Sequence, residues 1–401
     1  MQPSDAGAPA PGGPGSRRVW QLVVAGVLLA LLAAGIWAAS RGPSPGPLNP
    51  PVAPHPSLPA PPPPSPPAST TTTGRPVPTT VPRSQNATRA GFATGSIVLS
   101  ESDDQLAHDL DAVAATRAQW VRFDFDWSWV QRDGPSSWDW SAIDRIVNAV
   151  NQRGLSVIAL PAYSPTWARP SGTTNKHGPN NPQDFANFVR AAAERYVPEG
   201  VLVWEIWNEP NVDQFWAHPD PVAYTALLKA AAHALRSVSP AVTVLTGGTA
   251  PAENSPGYSL SPPTFIKRLY DAGAAGSFDG VAIHPYTFPD DPTTRISSNA
   301  LLQARNIRME MVAHGDGNKL IWATETGAPT RGQGSVSESR QAQWVQIYYS
   351  VWNGWSFTGP MLWYSIRDLS SGWDQQQAFG MLHANGSPKQ AFAVFRSLLA
   401  G

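Results

Sequence analysis

Hydrophobic and polar positions fall into three textures along the 401 residues. From Val19 to Ala39 the chain is apolar and uncharged (VWQLVVAGVLLALLAAGIWAA). Residues 42–85 follow no period: PAPPPPSPPAST leads into a threonine run and PVPTTVP. From about Gly91 onward short β-favouring runs alternate with helix-like runs. Ser96–Leu99 reads as a strand and Ser102–Ala115 as a helix capped by its serine. Trp120–Asp124 is a strand, Trp140–Arg153 a helix; Ser156–Leu160 a strand, Pro182–Tyr196 a helix that starts on proline. Val201–Trp207, Thr243–Gly247, Gly280–His284, Leu320–Glu325 and Pro360–Tyr364 read as strands. They are followed by helices at Pro221–Val238, Pro263–Ala272, Ala300–His314, Glu338–Trp352 and Pro388–Leu399. Strict alternation predicts a parallel sheet, and eight such units predict an α/β fold, the (β/α)8 TIM barrel. An open doubly wound sheet is the rival. It calls for a glycine-rich phosphate loop after an early strand, and Gly247-Gly248 comes too late and lacks the spacing.

The first two textures set the organisation. About 20 apolar residues span a bilayer as a helix. Trp20 and Trp37 stand near the ends of the run, where interfacial aromatics belong. Arg17 and Arg18 precede it, so the positive-inside rule puts the N-terminus in the cytoplasm and the rest outside. The competing reading is a secretory signal peptide cleaved at Ala38-Ala39-Ser40. The Pro/Thr-rich segment cannot bury a core. In extended form, at about 3.1 Å per residue, it holds its domain on the order of 100 Å from the membrane. The expected organisation is a cytoplasmic tail (1–18), a signal-anchor helix (19–39), a disordered linker (40–88) and a barrel domain (89–401). The protein is expected in the cell membrane as a single-pass, monomeric species with the barrel in the extracellular or cell-wall space, or secreted if the helix is cleaved.

Composition removes several functions. A net charge of −1 gives no electrostatic footprint for nucleic acid. With no cysteine, disulfides, thiol nucleophiles and cysteine-ligated zinc are excluded. No second histidine lies at ligand spacing from His284, so no metal is expected, and no cofactor.

TIM-barrel chemistry sits at the C-terminal ends of the strands. Those ends carry Arg122, Asp124 and Asp126; Asn208 and Glu209; His284 and Tyr286; Glu325; and Trp363 and Tyr364. The loops beyond them carry Tyr163, Trp167, Phe215, Trp216, Tyr258 and Trp373. Two carboxylates across an aromatic-lined cleft suit glycosidic bond cleavage, one protonating the leaving oxygen and the other attacking carbon or activating water. Any one of the 17 tryptophans has core packing as its simplest role, and Trp204 and Trp322 are read so. Trp216, Trp363 and Trp373 follow or end strands and are read as sugar platforms. Glu205 shares strand parity with Glu209 but lies deeper, as a barrel-interior carboxylate paired with an arginine. Asp124 and Asp126 remain open as an inverting pair with Glu209 or as sugar and arginine binders. An aromatic wall from Trp207 and a negative Glu325 nearby should raise the Glu209 pKa.

WNEP after the fourth strand, with IHPY and WATETG at the ends of the sixth and seventh, resembles the clan of retaining (β/α)8 glycoside hydrolases that includes cellulases and β-xylosidases. VRFDFDWSWVQ and WDWSAIDRIVNAVNQRGLSVIALPAYSPTWA look closest to families 39 and 5, over roughly residues 95–400. The resemblance implies that Glu209 is the acid/base and Glu325 the nucleophile. It implies that Asn208 binds the sugar 2-hydroxyl and that His284 and Tyr286 line the cleavage subsite. Arg122 matches an arginine that holds the nucleophile ionised, and Trp363 matches the subsite floor. The mouth loops 163–181 and 365–387 match no subfamily pattern, and they govern substrate choice. The implied partner is a cell-wall or other extracellular polysaccharide. A non-catalytic glycan-binding protein on the same barrel is the alternative, against which both carboxylates count.

Overall fold

The structure is a computed structural model, described here for residues 88–372 and 374–400. The apolar run 19–39, the linker up to residue 87 and Trp373 lie outside the described residues. Among the described residues no helix is long and apolar enough to cross a membrane.

Eight strands close into one parallel barrel in chain order. They are β1 (Ala90–Gly95), β2 (Trp120–Asp126), β3 (Ser156–Ala162), β4 (Val203–Glu205), β5 (Thr243–Leu245), β6 (Gly280–Ile283), β7 (Leu320–Thr326) and β8 (Thr358–Tyr364). The outer helices are α1 (Asp103–Ala115), α2 (Ser141–Gln152), α3 (Pro182–Tyr196), α4 (Pro221–Val238), α5 (Pro262–Asp271), α6 (Ala300–Ala313), α7 (Glu338–Asn353) and α8 (Gln390–Ala400). Their starts follow local chemistry. Ser102 accepts from the Gln105 N–H, and Asn181 and Asp220 cap helices whose first residue is proline.

The first strand departs from expectation. Ile97–Leu99 is a 3-10 turn, and the strand lies earlier, at Ala90–Gly95. Its composition (AGFATG) hides it. Gly91 pairs with Trp120, and a Cβ there would lie 2.5 Å from the Trp120 carbonyl oxygen and 2.6 Å from its Cβ. The strand therefore needs glycine where β propensity would ask for a branched residue.

Two apolar layers hold the barrel. Inside, at the N-terminal end, Ile158, Val203, Leu245, Ala282 and Leu362 pack with Trp120 and Trp322. Outside, a continuous core joins the strands to the helices, with Trp127, Trp204, Trp344, Trp352 and Trp363 fully buried. Trp204 thus packs in the outer core and Trp322 in the inner layer, as read from sequence.

Candidate active site

Two steps along the same inward-facing positions, the interior turns from apolar to charged. On β2, Arg122 and Asp124 follow Trp120 and are both buried. Arg122 donates Nε–H to Glu205 Oε2 (2.7 Å) and Nη2–H to Glu205 Oε1 (2.9 Å). It also donates to Asn208 Oδ1 (2.9 Å) and to Glu325 Oε1 (2.5 Å). Glu205 is the arginine-paired interior carboxylate expected. Its burial alone would raise its pKa, but Arg122 and His284 outweigh that and hold it at about 2.

Glu209 reaches the mouth because the chain leaves the sheet after Glu205. Trp207 and Glu209 take left-handed backbone, φ 71° and 44°, a conformation costly for non-glycine residues and met at functional sites. The Glu209 N–H donates to the Gly248 carbonyl (2.9 Å), and the Gly248 N–H donates to Glu205 Oε1 (2.9 Å). Gly248 has to be glycine: a Cβ would lie 2.2 Å from His284 Nε2. The Gly247-Gly248 pair thus serves close approach of backbone to the charged layer.

Glu325 faces inward through a bulge. Ala323 pairs with Met361 and Thr326 with Trp363, so three steps on β7 match two on β8. The extra residue lets Glu325 turn inward three positions after Trp322, which packs in the inner layer. Its Oε2 accepts from the Tyr286 hydroxyl (2.8 Å). A Glu209 carboxylate oxygen lies within 4.8 Å of one of Glu325.

His284 Nδ1 shares a hydrogen bond of 2.8 Å with Glu209 Oε1. Its Nε2 is 3.7 Å from Glu205 and 3.4 Å from an Arg122 donor, too far for a strong bond to the former. The Nδ1–Glu209 contact is therefore the closer of the ring's contacts with these two carboxylates. Burial would lower the His284 pKa, yet Glu325, Glu205 and Glu209 together raise it to about 9. Glu209 itself is raised by burial and by Glu325, against His284 and Arg122. The direction is the one expected, but Trp207 is not the wall. Its indole N–H donates to the Phe215 carbonyl (2.7 Å), within an aromatic cluster.

Glu209, His284 and Glu325 stand close enough to take a metal ion. They are already engaged: both Glu325 oxygens accept, from Arg122 and Tyr286, and the imidazole bonds Glu209. Arg122 adds a positive charge at the same spot. The trio is built as a proton-sharing group more than as a cation cage.

The structure brings together Arg122, Asp124, Asn208, Glu209, His284, Tyr286 and Glu325. It does not bring Trp363 or Trp216. Trp363 faces the helices, fully buried, its ring 6.2 Å from Tyr348 and its N–H donating to the Phe379 carbonyl. Strand alternation puts its neighbour Tyr364 inward instead, where Glu325, Asp124 and Glu209 bear on its hydroxyl. Trp216 is 5% exposed, packed 5.1 Å from the Trp207 ring and 5.8 Å from Tyr224. Gly178 also presses on its indole. Both tryptophans are core, not platform. Trp373 lies outside the described residues.

Lys176, in the loop after β3, is a mouth residue that no motif marks. Its Nζ sits 2.9 Å from the Tyr163 ring centroid and 5.0 Å from that of Phe215. Burial lowers its pKa, while Asp124, Asp126 and Glu209 raise it. Loop 365–387, after β8, is pinned by buried Asp368, which accepts from Lys389 Nζ (2.8 Å), Arg331 (2.9 Å) and the Gly380 N–H (2.8 Å).

A family model, the cellulase family or glycosyl hydrolase family 5, matches residues 83–361. Among solved structures the chain is similar to a family 39 glycoside hydrolase from the gut symbiont Bacteroides cellulosilyticus. That match has a TM-score of 0.65 at 21% identity and covers 79% of this chain and 64% of that one. It is similar to a monomeric β-xylosidase from Caulobacter crescentus (TM-score 0.62, 18% identity, 79% of this chain, 68% of that one). It is also similar to a GH5_18 enzyme from Streptomyces cattleya, solved with GlcNAc (TM-score 0.60, 18% identity, 78% and 80%). At these identities the likeness speaks for the fold. The chain spans less than two thirds of the first of these structures. With the family match running from residue 83 to residue 361 and ending within β8, the chain belongs to the glycosyl hydrolases of family 5.

Proposed function

We propose that the protein hydrolyses O-glycosidic bonds by double displacement with retention of configuration. The observation that carries this is the closeness of two unlike carboxyl groups. Glu209 and Glu325 approach within 4.8 Å, oxygen to oxygen. Retaining enzymes hold their carboxyl groups about 5–5.5 Å apart and inverting ones roughly 6.5–9.5 Å, leaving room for a water. The shorter spacing favours the retaining pair over an inverting partnership with Asp124 or Asp126.

The roles follow from the partners. Glu209, raised by burial and hydrogen-bonded to His284 at Oε1, gives its own proton to the leaving oxygen. Glu325, held by Arg122 and Tyr286, attacks the anomeric carbon as the carbon–oxygen bond breaks. The ester that forms removes the Glu325 charge, so the Glu209 pKa falls. Glu209 then takes a proton from water, whose oxygen displaces Glu325. Asn208 has given its carbonyl oxygen to Arg122, which leaves its NH2 to donate to the sugar 2-hydroxyl. The apolar run 19–39 tethers the enzyme to the membrane, and the Pro/Thr-rich linker lets it reach a cell-wall or extracellular polysaccharide. Those two statements rest on sequence.

The test uses full-length protein in mild detergent on β-glucans, xylan, mannan, galactans, arabinans and purified wall polysaccharide, with products read by mass spectrometry. Products from the parent and none from Glu325→Gln are expected. Tight binding to one glycan with no product would replace this reading with a glycan-binding one. Recovery of the native protein in the soluble fraction of lysed cells would sink the tether.

A further inference from the structure

The reaction machinery leaves two charged groups at the mouth unspent. Asp124 is 4% exposed, yet among the described residues its carboxylate makes no hydrogen bond and no ion pair within 4.0 Å. A buried carboxyl group without a partner is costly, and such a group is retained where a ligand completes it. Lys176 Nζ also makes no hydrogen bond or ion pair among the described residues, and rests on the Tyr163 face. Each feels the other electrostatically.

Lys176 is held in place. Its carbonyl accepts from the Ala217 N–H (3.2 Å) in the loop after β4. The Asn175 carbonyl accepts from the Ser164 N–H (2.8 Å), and the Asn175 amide donates to Ser128 Oγ (3.2 Å) in the loop after β2. Three mouth loops therefore fix the ammonium over the cleft. The tyrosine face holds the cation without using its N–H donors. It remains able to donate three hydrogen bonds, and Asp124 is able only to accept when ionised.

We propose that Lys176 is a specificity-determining residue that acts with Asp124 to read adjacent hydroxyls of the sugar seated at Glu209 and Glu325. The inference rests on the hydrolase reading above. An ammonium and a carboxylate that act on one cleft match a pair of hydroxyls: one hydroxyl accepts from Lys176 and the other donates to Asp124.

The test compares parent, Lys176→Met, Asp124→Asn and the double variant. The probes are aryl glycosides of the sugar that the parent cleaves fastest, its monodeoxy analogues and its uronic acid counterpart. Lys176→Met should lower kcat/KM by about 10- to 100-fold on the parent sugar, the range for a lost charged hydrogen bond. On the one deoxy analogue that lacks the hydroxyl it reads, the loss should vanish. The double variant should lose less than the product of the two single losses. Melting temperature should stay that of the parent. An equal loss on every analogue, or none on any, overturns the proposal while leaving the hydrolase reading intact. Faster cleavage of the uronide by the parent, abolished in Lys176→Met, would also overturn it, by showing that the ammonium reads a carboxylate. A parent that cleaves no probe and no glycan removes the hydrolase reading, and this inference with it.

Discussion

The two ends of the barrel interior are built from the same strands and differ by about two residues of rise. At the N-terminal end Trp120, Ile158, Val203, Leu245, Ala282, Leu362 and Trp322 fill the space with apolar atoms. At the C-terminal end Arg122, Glu205, His284 and Tyr364 occupy the next inward positions on four of those strands. The lower layer holds the barrel together by excluding water. The upper layer buries ions, which is costly unless each is paired. Arg122 meets that cost by binding Glu205, Asn208 and Glu325 at once. The lower layer therefore supplies stability and tolerates no reactive group. The upper one uses stability to hold Glu325 and Glu209 where chemistry needs them.

Substitutions in each layer sharpen that division. Glu325→Gln should lower kcat at least about a thousandfold, since the displaced group is the reacting one, with the melting temperature kept. Rate constants with an activated aryl glycoside check this, and full activity would contradict the nucleophile assignment. Glu209→Gln should cost about 10²–10⁴-fold on substrates with poor leaving groups and far less on activated ones, the pattern of a lost general acid. A leaving-group series measures it.

Next in size come the stabilities. Arg122→Met should destabilise by about 3–5 kcal/mol, because it strands Glu205 as an unpaired buried charge, and should also abolish turnover. Leu362→Ala in the lower layer should cost a similar 2–5 kcal/mol, roughly, and leave kcat/KM nearly unchanged at a temperature where the variant is folded. Denaturant unfolding beside kinetics separates the two. If Leu362→Ala cut activity as deeply as stability, the layers would not be independent.

The smallest effect is on pH. Glu205 is held at about 2, below the ordinary carboxylate value of about 4.3. Its contribution to stability is present above about 4.3 and is lost as pH falls from there through 2. His284 is raised to about 9, so its contribution is full below about 6.5 and is lost as pH rises through 9. The melting temperature should decline in both windows, and burial of Asp124, which raises its pKa to about 7, adds a decline as pH rises from about 3.8 towards 7. A flat profile from pH 6.5 to 9 would remove the charged state of His284.

Much of this was legible in the sequence because barrel chemistry is tied to strand ends. Asn208, Glu209, His284 and Glu325 all carry a polar group just where an apolar run stops. Trp363 was misread because the end of a strand does not say which face a residue takes. The register does, and it turns Tyr364 inward and Trp363 out. Trp216 looked like a loop aromatic, but Trp207, Tyr224 and Gly178 enclose it. The β1 strand was hidden because its neighbours leave room only for glycine at position 91. Lys176 carried no signal, since its place depends on contacts with Ala217, Ser164 and Ser128 from elsewhere in the chain.

The most direct test of the account is to trap the glycosyl–enzyme. Full-length protein would be treated with the 2-deoxy-2-fluoro glycosyl fluoride of its preferred sugar, digested with protease and mapped by mass spectrometry. The account predicts one sugar per chain, in ester linkage to Glu325, and none in Glu325→Gln. A label on Asp124, Glu205 or Glu209, or a first-formed product of inverted configuration by NMR, would contradict it.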